Sequence, residues 1–256
     1  MSLKPAIFTI ACGALTLGCG VDPATTTREI TDNLIQAGFP KADIMVAHDQ
    51  VYVGRDAIVS LQASREMLQV SASSGSKEQY RTNNLVSRDL ANICVDDQLF
   101  FGQFSAGIDQ AVDNYNQLGL SFTMWHTNGD TSGCDAVITA RLTNGNGGVS
   151  GFPADGFPFD AINIGIDLRT FDQGTITHVI THELGHTVGF RHTDFFDRSI
   201  SCGRGGDEGD GGVGAILIDG TPSGAFVGGS VMNSCFRQFE PGRFTDDDIT
   251  ALHALY

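Results

Sequence analysis

The chain has 256 residues, 41% hydrophobic and 18% charged, which excludes a polymer disordered throughout and allows one good core with a small companion segment. Fifteen basic against 30 acidic residues give a formal charge of −15, which argues against nucleic acid and anionic membrane as partners. Thirty-two glycines without a collagen period announce loops, tight turns and close backbone approaches. The charge is unevenly placed, with 8 basic and 8 acidic residues in 1–88 but 7 basic and 22 acidic in 89–256. A domain boundary is expected near residue 88.

At the N-terminus, Lys4 precedes a mostly apolar run over 5–17, too short for a comfortable membrane span and of signal-peptide size. Its end, Leu15-Thr16-Leu17-Gly18-Cys19, resembles a bacterial lipobox, where a small residue precedes the cysteine that receives lipid. Residues 1–18 are thus read as a lipoprotein-type signal peptide, Cys19 as the lipidation site and 21–28 as a polar tether. That implies export from a bacterial cell, with lipid anchoring to the envelope (outer membrane or surface) or, if Cys19 is incidental, secretion. Cys94, Cys134, Cys202 and Cys235 remain for two disulfides in an oxidising compartment. Of three connectivities, Cys94–Cys134 and Cys202–Cys235 are favoured because each closes one local loop. No CxxC pair offers a cysteine zinc site.

Further along, Ile30, Leu34 and Ile35 mark a short helix, 50–60 is a β-like run, and the polar stretch 71–84 is a linker by composition. Strands are predicted at 92–95, 120–125 and 136–142. Phe104, Ile108, Ala111, Val112, Tyr115 and Leu118 recur at helical spacing between the first two. Ile162, Ile164 and Ile166 alternate as a half-buried strand should, and a second helix is predicted over 175–188. After a glycine-rich stretch the chain closes with a helix capped by Thr245, with Asp246, Asp247 and Asp248 in its first turn. This order reads as α+β.

One stretch carries chemistry: His182-Glu183-Leu184-Gly185-His186-Thr187-Val188-Gly189-Phe190-Arg191-His192. On a helix the first two histidines lie about 40° apart on one face, a turn apart in height, so both can reach one zinc at ~2.1 Å. Ile176, Val179, Ile180, Leu184 and Val188 form an apolar stripe on another face. Glu183 stands beside the metal, placed to act as a base on water there. Gly189 can take a positive φ, ending the helix and turning His192 back as a third ligand. Three protein ligands leave a fourth position open, the mark of a catalytic zinc. At this chain's own residue frequencies the five fixed positions arise by chance about 10⁻⁵ times per chain.

These eleven residues match the zinc signature of the metzincin clan of metallopeptidases, and HELGHTVGFRHTD, 182–194, most resembles the bacterial HEIGH-type family within it. Ser230-Val231-Met232-Asn233 resembles the clan's Met-turn, whose methionine forms an apolar floor under the zinc. Asp219-Gly220-Thr221-Pro222 and the closing segment from Phe244 to Tyr256 also suit the family. Ser234 stands where some metzincins carry a tyrosine ligand, so no tyrosine switch is expected. The resemblance covers about 89–256 and implies a metzincin-like catalytic domain with mixed sheet, active-site helix, Met-turn and C-terminal helix. In metzincins an edge strand above the cleft pairs with extended substrate, and 147–152 is the candidate by order. Val51-Tyr52-Val53-Gly54-Arg55-Asp56-Ala57-Ile58 loosely resembles a propeptide segment whose aspartate fills the zinc's open position, although Arg55 intervenes where glycine is usual. Residues 19–88 are thus propeptide-like, with Asp56 the latency residue; otherwise Asp56 caps a turn in a small supporting domain.

The resulting expectation is a monomeric zinc endopeptidase with one catalytic Zn²⁺, acting on protein or peptide and touching membrane only through its lipid anchor. Its rivals are a non-catalytic surface lipoprotein with a structural zinc, and a zinc hydrolase of a non-peptide amide. Among the remaining histidines, His178 lies one turn before His182 on the same face and is read first as an ordinary structural residue, with a second-layer or cleft-lining role as the alternative; His48, His126 and His253 are surface or core. Trp125 is expected in the core. Asp207, Glu208 and Asp210 could hold Ca²⁺ but lack the spacing of a calcium loop, so a solvated mobile loop over 203–214 is the stronger expectation.

Overall fold

The structure, a computed structural model, describes residues 22–69, 79–209, 215–222 and 224–256. The signal peptide, Cys19, 71–78 and Asp210 lie outside the described residues. The first helix, α1 (Pro23–Gln36), begins inside the stretch predicted as a tether. Asp22 accepts from the Ala24 N–H at 3.1 Å and Pro23 opens the first turn, a start signal stronger than the polar composition around it. The β-like run folds as a hairpin: β1 (Met45–Ala47), β2 (Gln50–Val53) and β3 (Ala57–Ile58) form an antiparallel meander, and α2 (Leu61–Met67) packs beside α1. Ile30, Leu34, Phe39, Val51, Val53 and Met67 build a core of their own, which reaches the rest of the chain through Phe152.

The polar stretch expected as a linker enters the fold from Gln79 onward. There β4 (Tyr80–Arg81) pairs with β10 (Ile216–Leu217), and Gln79, Thr82 and Asn84 are buried. The side-chain amide nitrogens find partners: Gln79 Nε2 donates to Asp248 Oδ1 at 2.8 Å and Asn84 Nδ2 to Glu66 Oε2 at 2.7 Å. Polar composition excludes burial only where partners are missing.

Next come β5 (Asn92–Asp96), α3 (Gln103–Asn116), β6 (Thr123–Thr127), β7 (Ala136–Thr143), β8 (Gly148–Gly151) and β9 (Ala161–Gly165). They join β1–β3 in one eight-stranded mixed sheet of order β1-β2-β3-β8-β9-β7-β5-β6. Strands β5, β6, β7 and β9 run parallel, β8 is antiparallel to β9, and β3 is parallel to β8. The alternation expected through Ile166 stops at Gly165, where a 3₁₀ turn (Ile166–Thr170) begins. Strand β6 starts later than predicted, at the sheet's outer edge, and its alternation buries Met124 instead of Trp125. Trp125 is 56% exposed and donates to Asn92 Oδ1 at 3.2 Å, which corrects its expected core position.

Helix α4 (Gln173–Thr187) packs against α3 and against the sheet at β8 and β9, capped by Asp172 accepting from Thr175 N at 2.8 Å. Ile108, Val112, Ile176, Ile180 and Leu184 share the main core with Ile93, Val95, Ile162 and Ile164. A short α5 (Ser199–Cys202) and the closing α6 (Asp246–Leu255) complete the α+β fold. Cys94 is bonded to Cys134 and Cys202 to Cys235; the second bridge ties α5 to the loop behind Met232. No helix among the described residues is long and apolar enough to cross a membrane.

Candidate metal centre

Helix α4 places His182 and His186 one turn apart, and Gly189 ends it. Gly189 has φ +108°, and a Cβ there would stand 2.4 Å from the Asn84 carbonyl, so the turn that returns His192 requires glycine. Each imidazole is fixed by its Nδ1: His182 donates to Val231 O and His186 to Phe190 O, both at 2.8 Å, while His192 meets Glu208 Oε1 at 2.6 Å. That leaves the three Nε2 atoms facing one point. His182 Nε2 and His192 Nε2 are 3.3 Å apart, and the Asp56 carboxylate closes the cluster at 3.8, 3.8 and 3.2 Å from His182, His186 and His192.

Burial holds the first two rings neutral, His182 down at about 4 and His186 at about 3, as metal-ligating imidazoles must be. At His192 burial also opposes protonation, but the Asp56 and Glu208 carboxylates outweigh it and push the pKa up. Asp56 is held low in return: burial would raise it, and the three imidazoles overcome that. His186 Nε2 and Asp56 Oδ1 are buried with no hydrogen-bond partner. Three converging Nε2 atoms, two unpartnered buried acceptor atoms and the Asp56 carboxylate are a donor set that fits a divalent cation.

Glu183 points into the same cleft, a cavity of about 260 Å³ that Asp56, Gly148, His178 and His182 help to line. Burial first, and then the Asp56 charge, raise its pKa well above the usual carboxylate range, and its Oε2 has no partner. Met232 is buried against α4, its sulfur 2.5 Å from where a Cβ on Gly185 would stand. The turn carrying it is pinned by Asp248, which accepts from Val231 N at 3.0 Å and Ser230 Oγ at 2.5 Å. His178 lies in the cleft wall with Glu240 4.0 Å away. His48, His126 and His253 are exposed, apart from this centre.

Three features were not visible in the sequence. Glu208, expected in a solvated loop or on calcium, is 2% exposed and spent on His192, with Arg191 Nη2 3.4 Å from its other oxygen. Arg198 donates to Gly54 O at 2.8 Å, and Asp43 accepts from Gly54 N at 2.9 Å, so a buried set of charges carries the turn that delivers Asp56. Strand β8 is where the substrate-pairing edge was expected, but it is not an edge: Ser150 N donates to Asp56 O at 2.9 Å and Phe152 N to Ile58 O at 3.2 Å.

A helix presenting paired histidines, a third histidine beyond a glycine turn and an adjacent carboxylate together define a metallopeptidase-type centre. The chain belongs to the dual-action HEIGH metallo-peptidase family, whose model matches residues 51–256 and so takes in β2, β3 and Asp56. As a peptidase it acts on protein or peptide. No curated protein matches it. Among solved structures it is similar to two of myroilysin. One is 11% identical with TM-score 0.44, covering 70% of this chain and 98% of that one. The other is 11% identical with TM-score 0.36, covering 65% and 82%.

Proposed function

We propose that the chain is an exported, lipid-anchored zinc endopeptidase of metzincin type, made in a latent form. The observation that carries this reading is the convergence of three Nε2 atoms beside the unpartnered carboxyl oxygen of Glu183. His182, His186 and His192 would hold the zinc, which when bound would polarise a scissile carbonyl and make nearby water more acidic. Glu183 does the proton work: its Oε2 takes a proton from the attacking water and returns it to the departing amine nitrogen. Gly148 leaves its side chain room beside the strand. The lipobox-like end at Cys19 and the two disulfides support export to an oxidising compartment, and residues 19–88 are read as a propeptide-like segment that keeps Asp56 in the cleft.

Glu183→Gln tests the reading directly. The variant should fold and retain one zinc per chain, while cleavage of a denatured protein falls by at least ~10²–10⁴-fold. Wild-type cleavage should stop with chelator. A variant with zinc and near-full proteolysis would remove Glu183 as base, and wild type cut before Gln79 and freed of its N-terminal segment, with zinc but no cleavage of any denatured protein, would leave a structural zinc or a non-peptide amide substrate.

A further inference from the structure

The geometry points to Glu208 as a positioning residue for the third histidine: its carboxylate fixes His192 so that Nε2 faces the metal. This rests on the reading of His192 as a zinc ligand.

The three histidines are oriented by different partners. His182 and His186 donate to backbone carbonyls, which the Met-turn and the turn that follows α4 supply. His192 lies beyond the helix, and the acceptor of its Nδ1–H is a side chain 16 residues further on, at 2.6 Å. A carboxylate in this position sets the tautomer and also raises the basicity of the ligand nitrogen more than a carbonyl does.

Glu208 is built for the role. It is buried, and an unpaired buried carboxylate is costly, so its neighbours must supply charge. Arg191 Nη2 donates to its main-chain carbonyl at 3.0 Å and stands 3.4 Å from Oε2; Arg198 Nη1 is 3.7 Å from Oε1. The Arg191 guanidinium is itself clamped between the rings of Phe39, 4.3 Å away, and Phe195, 4.9 Å away. The loop backbone is anchored as well, with Glu208 N donating to Phe195 O at 2.6 Å. A Cβ on Gly54 would lie 3.0 Å from the His192 ring and 3.1 Å from Glu208 Oε1, so the turn over the pair keeps water out.

Zinc affinity of the whole chain, measured by competition with a chromophoric chelator, tests this without reference to activity. Glu208→Ala should bind zinc ~10–100-fold more weakly. Glu208→Gln retains an acceptor oxygen without the charge and should lose less. Melting of the metal-free proteins, recorded alongside, separates loss of the fold from loss of the ligand's orientation. If Glu208→Ala does not fold, Glu208→Gln decides, and wild-type zinc affinity in that variant overturns the role. Zinc affinity within threefold of wild type in a folded Glu208→Ala overturns it too. His192→Ala distinguishes the failures: if it binds zinc tightly, the three-histidine site is wrong, whereas weak binding there with unaffected Glu208 variants condemns only the role of Glu208.

Discussion

A single absent methyl group gives the proposed base its place. A Cβ on Gly148 would lie 2.3 Å from Glu183 Oε1 and 2.5 Å from its Cγ, distances no side chain tolerates. Gly148→Ala should therefore push the Glu183 side chain aside while leaving the three imidazoles alone. Displacement of a reacting group by about 1 Å can cost ~10²-fold, so kcat/KM should fall by that order with zinc content unchanged. Equal kcat/KM in a folded, zinc-loaded variant would mean that Glu183 does not work from this position. His178, in the same cleft wall, gives a stability prediction. Burial, only partly offset by Glu240, pushes its pKa down to about 4 from the usual 6.5. Between those values the unfolded chain binds a proton that the folded chain refuses, so this contribution is full above about pH 6.5 and is lost as pH falls toward 4. The loss is at most about 3 kcal/mol. Urea unfolding with chelator throughout should show wild type losing more stability than His178→Gln between pH 7 and 4.5. Parallel losses would show that His178 does not carry this term.

At the level of elements, the sequence revealed what one continuous stretch encodes. Helix α4 and its two histidines were legible because a helix fixes the angle between positions four apart, and Gly189 signalled the turn to His192. The cap of α6 was legible for the same local reason, and Thr245 and Asp248 do form a capping box. The second duty of Asp248 was not: it accepts from Gln79, Ser230 and Val231, and Val231 in turn accepts from His182, so the last helix steadies His182 through the turn that carries Met232. Glu208 and Asp43 sit in loops without period, and nothing in a glycine-rich acidic run says which carboxylate will be buried. Trp125 was misplaced for a related reason, since burial of a strand residue depends on register and on whether the strand lies at an edge.

Over the whole molecule the least legible feature is the parallel pairing of β3 with β8, residues about ninety apart with no local signal. It offers a physical basis for the proposed latency. The segment with α1, α2 and β1–β3 has its own core, lays β3 along the strand expected to pair with substrate, and delivers Asp56 to the histidines. Its turn is strained at Arg55, φ +80°, and is fastened by Asp43 and Arg198. While tethered, such a segment competes with substrate at an effective concentration of about 1 mM, so an intrinsic affinity of only ~10 μM would leave ~1% of the clefts open. Because 79–84 is built into the fold, a cut that released the segment on this reading would fall before Gln79. The uncut chain should therefore cleave denatured protein ~10²-fold more slowly than the cut and diluted protein. Asp56→Ala in the uncut chain should restore only part of that rate, because β3 still covers β8. Full restoration would assign the block to Asp56 alone. Equal rates before and after cutting, with Asp56→Ala silent, would make 22–69 a permanent part of the enzyme and not an inhibitor.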